Sequence, residues 1–264
     1  MKISVIIPTY KPQNYIWECL NSLVRQTFPK DAFEVIIVLN GCCEPWKSDI
    51  ERYVSINMAD MTVRLIQTDQ GGVSNARNIA LDNASGEFVA FIDDDDWVSE
   101  GYLEQLFKKV SDDTISLCYP YAFADGFIQN QLSYSITEQY DKLENCGKVK
   151  YQMARKFFSG PCMKLIPMNF IQDRRFDVRF RNGEDSLFMF LISDEFKFVE
   201  CTDRGAVYYR RYRKNSAVTA KRSYRDRIIN SLRMIKAYCD IYMSGRYRYD
   251  LGFLMTRILG AIKL

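Results

Sequence analysis

The sequence predicts an α/β fold in which a mostly parallel central sheet is flanked by helices. Three observations carry this expectation. Short, continuous apolar runs recur at residues 3–7, 35–39 and 88–92, the pattern of strands buried on both faces. Segments with apolar residues at helical spacing lie between them, giving a β-α-β-α-β order. The chain has 264 residues and 47% hydrophobic content, enough to build the core of one such domain with a smaller appendage, or of two small domains.

Each element has its own signal. Residues 3–7 form a first strand ended by Pro8, and Ile16, Trp17, Leu20, Leu23 and Val24 mark a helix over residues 15–26. Residues 35–39 form a second strand, closed by Asn40-Gly41, and residues 63–67 a third. Gly71-Gly72 opens a helix over 73–84, which Gly86 closes. After the strand at 88–92, Ser99 is placed to cap a helix with Leu103, Leu106 and Phe107 on one face. Beyond Thr114 the pattern loosens into short aromatic-rich stretches, as in an antiparallel extension. A helix begins at Glu184-Asp185, with Leu187, Phe188, Phe190 and Leu191 apolar, and residues 196–200 and 206–209 read as strands. From Tyr224 on, Ile228, Ile229, Leu232, Ile235 and Tyr238 mark an amphipathic basic helix, and residues 253–262 a further one. There is no internal repeat and no low-complexity linker.

The net charge of +3 hides an asymmetry. Residues 201–264 hold 15 Lys/Arg against 4 Asp, whereas residues 1–200 hold 21 Lys/Arg against 29 Asp/Glu. A basic tail implies an anionic partner: membrane lipid, nucleic acid or the acidic body itself. No nucleic-acid-binding motif is present, so nucleic acid is not expected as a partner. The eight Cys show no CxxC spacing, and the start of the chain is too short for the apolar region of a signal peptide. The expectation is reduced thiols in the cytoplasm. No stretch reaches the roughly 18 apolar residues that a spanning helix requires. His is absent, which removes it as general base or metal ligand.

The run Asp93-Asp94-Asp95-Asp96-Trp97 follows directly on the strand at 88–92. Four adjacent carboxylates repel one another and call for a cation or a strong dipole. Hard divalent ions such as Mg2+ prefer carboxylate oxygens and leave room for substrate phosphates. In open α/β sheets, ligands bind beyond the carboxyl ends of the strands, which is where this run lies. By itself the run is equally well read as a solvated acidic loop.

The segments SVIIPTYK, EVIIVLNGC, GGVSNARNIAL, GEFVAFIDDDDW and RFRNGEDSLF, the last followed by VYYRRYRKNSAVT, occur in this order between Ser4 and Thr219. Together they resemble the inverting family 2 glycosyltransferases with the GT-A nucleotide-sugar fold. The resemblance implies a GT-A domain over residues 1–220, with a nucleotide-binding half (1–100) and an acceptor half (101–220), followed by a basic amphipathic helical tail (221–264). It implies a hexosyltransferase that moves a sugar from a nucleotide donor to a hydroxyl with inversion, in polysaccharide assembly for the cell envelope.

The resemblance also distributes roles. The family's D-x-D motif falls on Asp93-Asp94-Asp95, with Asp95 facing a divalent metal (Mn2+ or Mg2+), Asp93 facing the ribose or sharing the metal, and Asp94 on the donor side. Asp96 braces the loop or touches the sugar. The metal acts as a Lewis acid on the departing diphosphate. Direct displacement needs a base opposite the leaving group; Asp185 takes that role, with Glu184 positioning the acceptor or serving as the alternative base. Both carboxylates also suit a helix N-terminus on electrostatic grounds alone. Pro8, Thr9 and Tyr10 lie where the family contacts base and ribose, and Asn40 where many members carry a uracil-reading Asp. Arg77 and Asn78 match the A-R-N triplet near the donor, and a purely structural Arg77 is the competing reading.

Two departures matter. Leu39 replaces a frequent Asp, which weakens UDP as the nucleotide, and the late His that many metal-dependent members supply is missing. Arg211 and Arg213, with Arg210, stand in that late segment, and the diphosphate is a natural partner for Arg. The segment Phe157 to Leu165 resembles the turn lining the acceptor side. The implied partners are a nucleotide sugar, preferably a UDP-sugar, and a saccharide or lipid-linked glycan acceptor. The basic tail suits peripheral contact with the inner face of the cell membrane, or a homodimer helix. Two other classes stay open: a non-catalytic nucleotide- or carbohydrate-binding relative, and a sugar nucleotidyltransferase. The latter carries a Gly-rich loop where this chain has Pro8-Thr9-Tyr10-Lys11-Pro12.

Overall fold

A computed structural model of the chain describes residues 1–213, 223–245 and 248–263. The first half alternates as expected: β1 (Ile3–Thr9), α1 (Tyr15–Val24), β2 (Phe33–Asn40), α2 (Trp46–Asn57), β3 (Thr62–Thr68), α3 (Val73–Asn83) and β4 (Phe88–Phe91). The second half is more broken. It runs β5 (Trp97–Val98), α4 (Tyr102–Lys109), β6 (Thr114–Leu117), β7 (Tyr119–Ala124), α5 (Ser135–Leu143), β8 (Lys148–Lys150), β9 (Lys164–Pro167), α6 (Met168–Ile171), α7 (Glu184–Leu191), β10 (Phe198–Cys201) and β11 (Val207–Tyr212). Two helices follow, α8 (Tyr224–Ser244) and α9 (Leu251–Lys263).

Eight strands form one sheet in the order β3-β2-β1-β4-β9-β6-β10-β8, and β5-β11-β7 form a small second sheet. The pairs β1·β2, β2·β3 and β1·β4 are parallel, which aligns the carboxyl ends of β1, β2 and β4 along one rim. Every residue of β1 and β2 is buried; the apolar runs Val5–Ile7 and Val35–Leu39 form their middles, and the buried polar pair Ser4–Glu34 is satisfied by a 2.7 Å hydrogen bond. Pro8 lies inside β1 rather than ending it. It sits past Ile6, the last residue paired with β4, where a missing N–H costs no ladder bond on that side.

The expected antiparallel extension is only partly found. β9 does run antiparallel to both β4 and β6, but β6 pairs parallel with β10 and β7 parallel with β11. Ser99 does not cap a helix: its hydroxyl donates to the Gly205 carbonyl at 2.7 Å and accepts from Val207 N–H at 2.8 Å, pinning β11. Gly86 does not close α3, which ends three residues earlier. It lets the chain pass against β1, where an added Cβ would lie 2.5 Å from Ser4 N. Helix α2 has no strong sequence signal because Ile50 is its one buried side chain.

The tail packs on the second half. Ser186 Oγ and Tyr238 Oη share a hydrogen bond of 2.7 Å, Tyr249 Oη donates to Leu191 O at 2.9 Å, and an Arg257 guanidinium nitrogen donates to Phe158 O at 3.0 Å. The 220/221 boundary expected for the tail lies outside the described residues, as does the stretch 214–219 of the late motif. None of the eight Cys is paired with another. Among the described residues no helix is long and apolar enough to cross a membrane.

Candidate active site

The site forms where β1, β2 and β4 end. Asn40, the last residue of β2, is 4% exposed and has both ends of its amide engaged. Its Nδ2 donates to Thr9 O at 2.7 Å and its Oδ1 accepts from Gly72 N–H at 2.8 Å. It therefore ties the end of β1 to the turn that opens α3. The expected uracil contact meets a side chain already committed to this tie. Gly41, at φ 65°, passes so near the same turn that a Cβ would lie 2.9 Å from Gly71 Cα. Tyr10 is 54% exposed beside it, with Lys11 Nζ 5.3 Å from its ring centroid and 5.8 Å from that of Trp46. Of the residues expected to meet the nucleotide base, Tyr10 is the one that presents a free face.

The acidic run turns sharply beyond β4. Asp94 accepts from Thr9 Oγ1 at 2.5 Å and is half-buried; desolvation and then repulsion from Asp95 and Asp93 push its carboxyl up to about 7. Asp96 is buried and accepts from Arg211 N–H at 2.7 Å, which makes it the brace of the loop. Burial first, then Asp95 and Asp93, raise it well above the ordinary carboxylate range. Asp95 accepts from Arg213 Nε at 2.6 Å and is raised by burial and by Asp93, against the lowering effect of Arg213. Asp93 accepts from Arg77, and its backbone N–H donates to Tyr208 Oη at 3.2 Å.

Arg77 is the centre of the arrangement. One guanidinium nitrogen donates to Asp185 Oδ1 at 2.5 Å and another to Asp93 Oδ1 at 2.9 Å. Its guanidinium carbon lies 5.4 Å from the centroid of Phe176. Asn78, next in the helix and expected near the donor, spends its amide on a two-way pair with the Phe176 backbone, at 2.9 and 2.8 Å, holding the loop that leads to α7. Asp185 and Glu184 open α7 after Gly183, which is left-handed at φ 84°. Burial raises both carboxyls; Asp185 repels Glu184 further, while Arg77 draws Asp185 down. Glu184 Oε2 is buried without a hydrogen-bond partner.

The two late arginines differ. Arg211 spends its guanidinium on Glu18, on Asp125 at 2.6 Å and on the Asp95 carbonyl at 2.9 Å, and it packs over Trp97. It fastens the acidic loop to α1 and β7 and has no free edge for a diphosphate. Among the described residues Arg213 pairs with Asp95, and it lies over the Tyr15 ring at 4.3 Å. Tyr208, Tyr15 and Lys164 take part in the site without having been singled out in the sequence. Their roles depend on partners far along the chain, which no local pattern records.

The family profile described as glycosyl transferase family 2 matches residues 4–172. This chain belongs to glycosyl transferase family 2. Among the relatives of this family, the poly(ribitol-phosphate) beta-N-acetylglucosaminyltransferase TarS of Staphylococcus aureus is 42% identical over 104 residues, 39% of this chain and 18% of TarS. Glycosyltransferase GlyA of Streptococcus pneumoniae is 29% identical over 228 residues, 81% of this chain and 31% of GlyA. The chain thus spans under a third of either relative. The solved structure of S. aureus TarS 1–349 with UDP superposes with a TM-score of 0.65 at 26% identity, covering 80% of this chain and 61% of that one. The mannosyltransferase PcManGT of Pyrobaculum calidifontis, solved with GDP-Man and Mn2+, shares the fold at TM-score 0.61 and 18% identity, covering 99% and 74%. The architecture of this glycosyl transferase family 2 chain is therefore GT-A, with a C-terminal helical extension.

Proposed function

We propose that this chain is an inverting glycosyltransferase that passes a sugar from a UDP-sugar to a hydroxyl of a glycan acceptor, with Asp185 as the general base. The observation that carries the reading is the single buried guanidinium of Arg77, which joins Asp185 to Asp93. It sets the base and the donor loop at one site from positions 108 and 16 residues away in sequence. Asp185 is raised by burial, which makes its carboxylate a better proton acceptor, while Arg77 keeps the charged form accessible. Glu184, with a buried oxygen awaiting a partner, is suited to receive an acceptor hydroxyl. UDP is favoured by the likeness to TarS, which was solved with it.

The acidic loop fits a divalent cation of the Mg2+ or Mn2+ type. Among the described residues no group of three or more acidic or thiol side chains forms a complete protein cage. Asp95 and Asp93 supply two carboxylates, and such ions complete their shells with substrate phosphates and water. Asp94, Asp95 and Asp96 are raised by burial first and by neighbouring carboxylates second, and a cation would relieve that second contribution. When bound, the cation supplies Lewis-acid stabilisation of the diphosphate. Arg213 contributes from the chain itself, as the cation already facing Asp95.

The helical extension carries a second, independent observation. Leu251, Met255, Leu259 and Ile262 are each about half exposed or more and fall on one stripe of α9, while α8 exposes Leu232 beside basic residues such as Arg233 and Lys236. An apolar stripe on α9, with an apolar residue among exposed cations on α8, suits an anionic lipid surface, where lipid-linked acceptors reside. Incubation of the protein with UDP-sugars and glycan acceptors tests the enzyme reading. A glycoside formed by the wild type and lost in Asp185→Asn supports it; a nucleotide sugar plus pyrophosphate, or no product from any UDP-sugar, overturns it. Sedimentation with anionic and neutral vesicles tests the lipid surface, and equal failure with both removes it.

A further inference from the structure

Lys164, the first residue of β9, has no solvent exposure. Its ammonium donates to two backbone carbonyls, Gly160 O at 2.7 Å and Cys162 O at 2.5 Å, and lies 6.0 Å from the Phe158 ring centroid. Burying an ammonium is costly. The cost shows in its own acidity, which burial moves down to about 8. A methionine in the same place would fill the space without it.

The cation grips a strained turn. Met163, between Cys162 and Lys164, has φ 68°, the left-handed region that side chains other than Gly rarely adopt. Its carbonyl accepts from Cys118 N–H at 3.2 Å, and Cys162 bridges to Phe91 at the end of β4. The turn therefore stands directly beside the strand that delivers Asp93. At its other end, a Cβ on Gly160 would lie 3.9 Å from Asp185 Oδ2. The turn is the wall next to the base.

We propose that Lys164 is a positioning residue for the acceptor: by holding the Gly160 and Cys162 carbonyls it fixes the turn, with Met163 left-handed, as the wall against which the acceptor hydroxyl meets Asp185. This rests on the reading of Asp185 as the base. No contact with substrate is required of Lys164 itself. Its main effect reaches the reaction through backbone that neighbours the base, beside a direct charge effect that draws the Asp185 carboxyl down.

The test compares Lys164→Met, Lys164→Gln and the double variant Lys164→Met/Met163→Gly. The readouts are UDP affinity by calorimetry, acceptor KM and kcat, and amide hydrogen exchange at Cys162 and Met163. Lys164→Met is expected to raise acceptor KM by about tenfold or more, since small displacements of a positioning surface cost that much. UDP affinity should stay within a factor of about three, because the donor loop keeps its own ties. Exchange at the two amides should accelerate. Lys164→Gln keeps two N–H donors and should recover much of the loss. Glycine at 163 accepts a positive φ without strain, so the double variant should also recover part of it. If Lys164→Met does not fold, the Gln variant and the double variant carry the same comparison. An unchanged KM with unchanged exchange overturns the proposal, as does a Gln variant no better than Met, or a parallel loss of UDP affinity. A wild type that transfers no sugar refutes the enzyme reading instead, and the exchange experiment still decides whether Lys164 holds the turn.

Discussion

Arg77→Met removes the side chain that joins Asp185 to Asp93. Truncating one member of a buried ion pair costs about 3–5 kcal/mol, because a charge is left without its partner. Here two carboxylates are stranded, but neither is fully enclosed: the side chain of Asp185 is 29% exposed and that of Asp93 is 43% exposed. Water screens Asp93 most, so the lower end applies, about 3 kcal/mol. With a urea m-value of about 3 kcal/mol/M, the midpoint should fall by about 1 M. Chemical denaturation followed by tryptophan fluorescence measures this directly. The double variant Arg77→Met/Asp185→Asn discriminates the cause. With a neutral amide at 185 one of the two stranded charges is gone, so the combined loss should fall short of the sum of the single losses by about 1 kcal/mol or more. Additive losses, or a single-variant midpoint within about 0.3 M of wild type, would refute the view that Arg77 compensates these carboxylates.

Three further outcomes are expected. Arg213→Ala should weaken UDP binding by about tenfold, whereas Arg211→Ala, whose guanidinium is spent on Glu18, Asp125 and the Asp95 carbonyl, should lower thermal stability before it alters affinity; calorimetry and a melting curve separate the two. Gly86→Ala places a methyl 2.5 Å from Ser4 N, and the backbone shift it forces should cost about 1–3 kcal/mol in a denaturation experiment. Lys164 titrates near 8 when folded and near about 10.4 when unfolded, so the unfolded chain binds more protons between these values. The Lys164 contribution to stability should therefore rise with pH across that window, and the wild type should gain on Lys164→Met there and nowhere below it.

What the sequence disclosed follows from what local pattern can encode. β1, β2 and β4 were legible because strands buried on both faces carry near-continuous apolar runs, and the acidic run was legible because it follows such a strand at the rim where ligands bind. Helix α2 was not, since it buries little beyond Ile50 and needs no apolar stripe. Nor was the direction of β6 and β7, which is decided by strands some 80 residues later rather than by their own composition. The site divides in the same way. Asp93, Asp95 and Asp185 were recognisable as residue types in a motif order. Asn40, Asn78 and Arg211 were assigned to the donor, yet their polar groups are taken up by Thr9, Gly72, Phe176, Glu18 and Asp125. A side chain whose partner is a backbone group 31 or 98 residues distant leaves no periodic trace.

The eight-stranded sheet has an open margin at β8, and that margin bears on how copies of the chain behave when concentrated. Unpaired backbone donors and acceptors along an outer strand invite another strand to add itself. In β8 the invitation is short and guarded: three residues, with Lys148 and Lys150 exposed on either side of Val149. Two molecules approaching there edge to edge would bring four ammonium groups together before any backbone bond could form. At this margin the sheet that carries the site is in this way kept from adding a strand of a second copy.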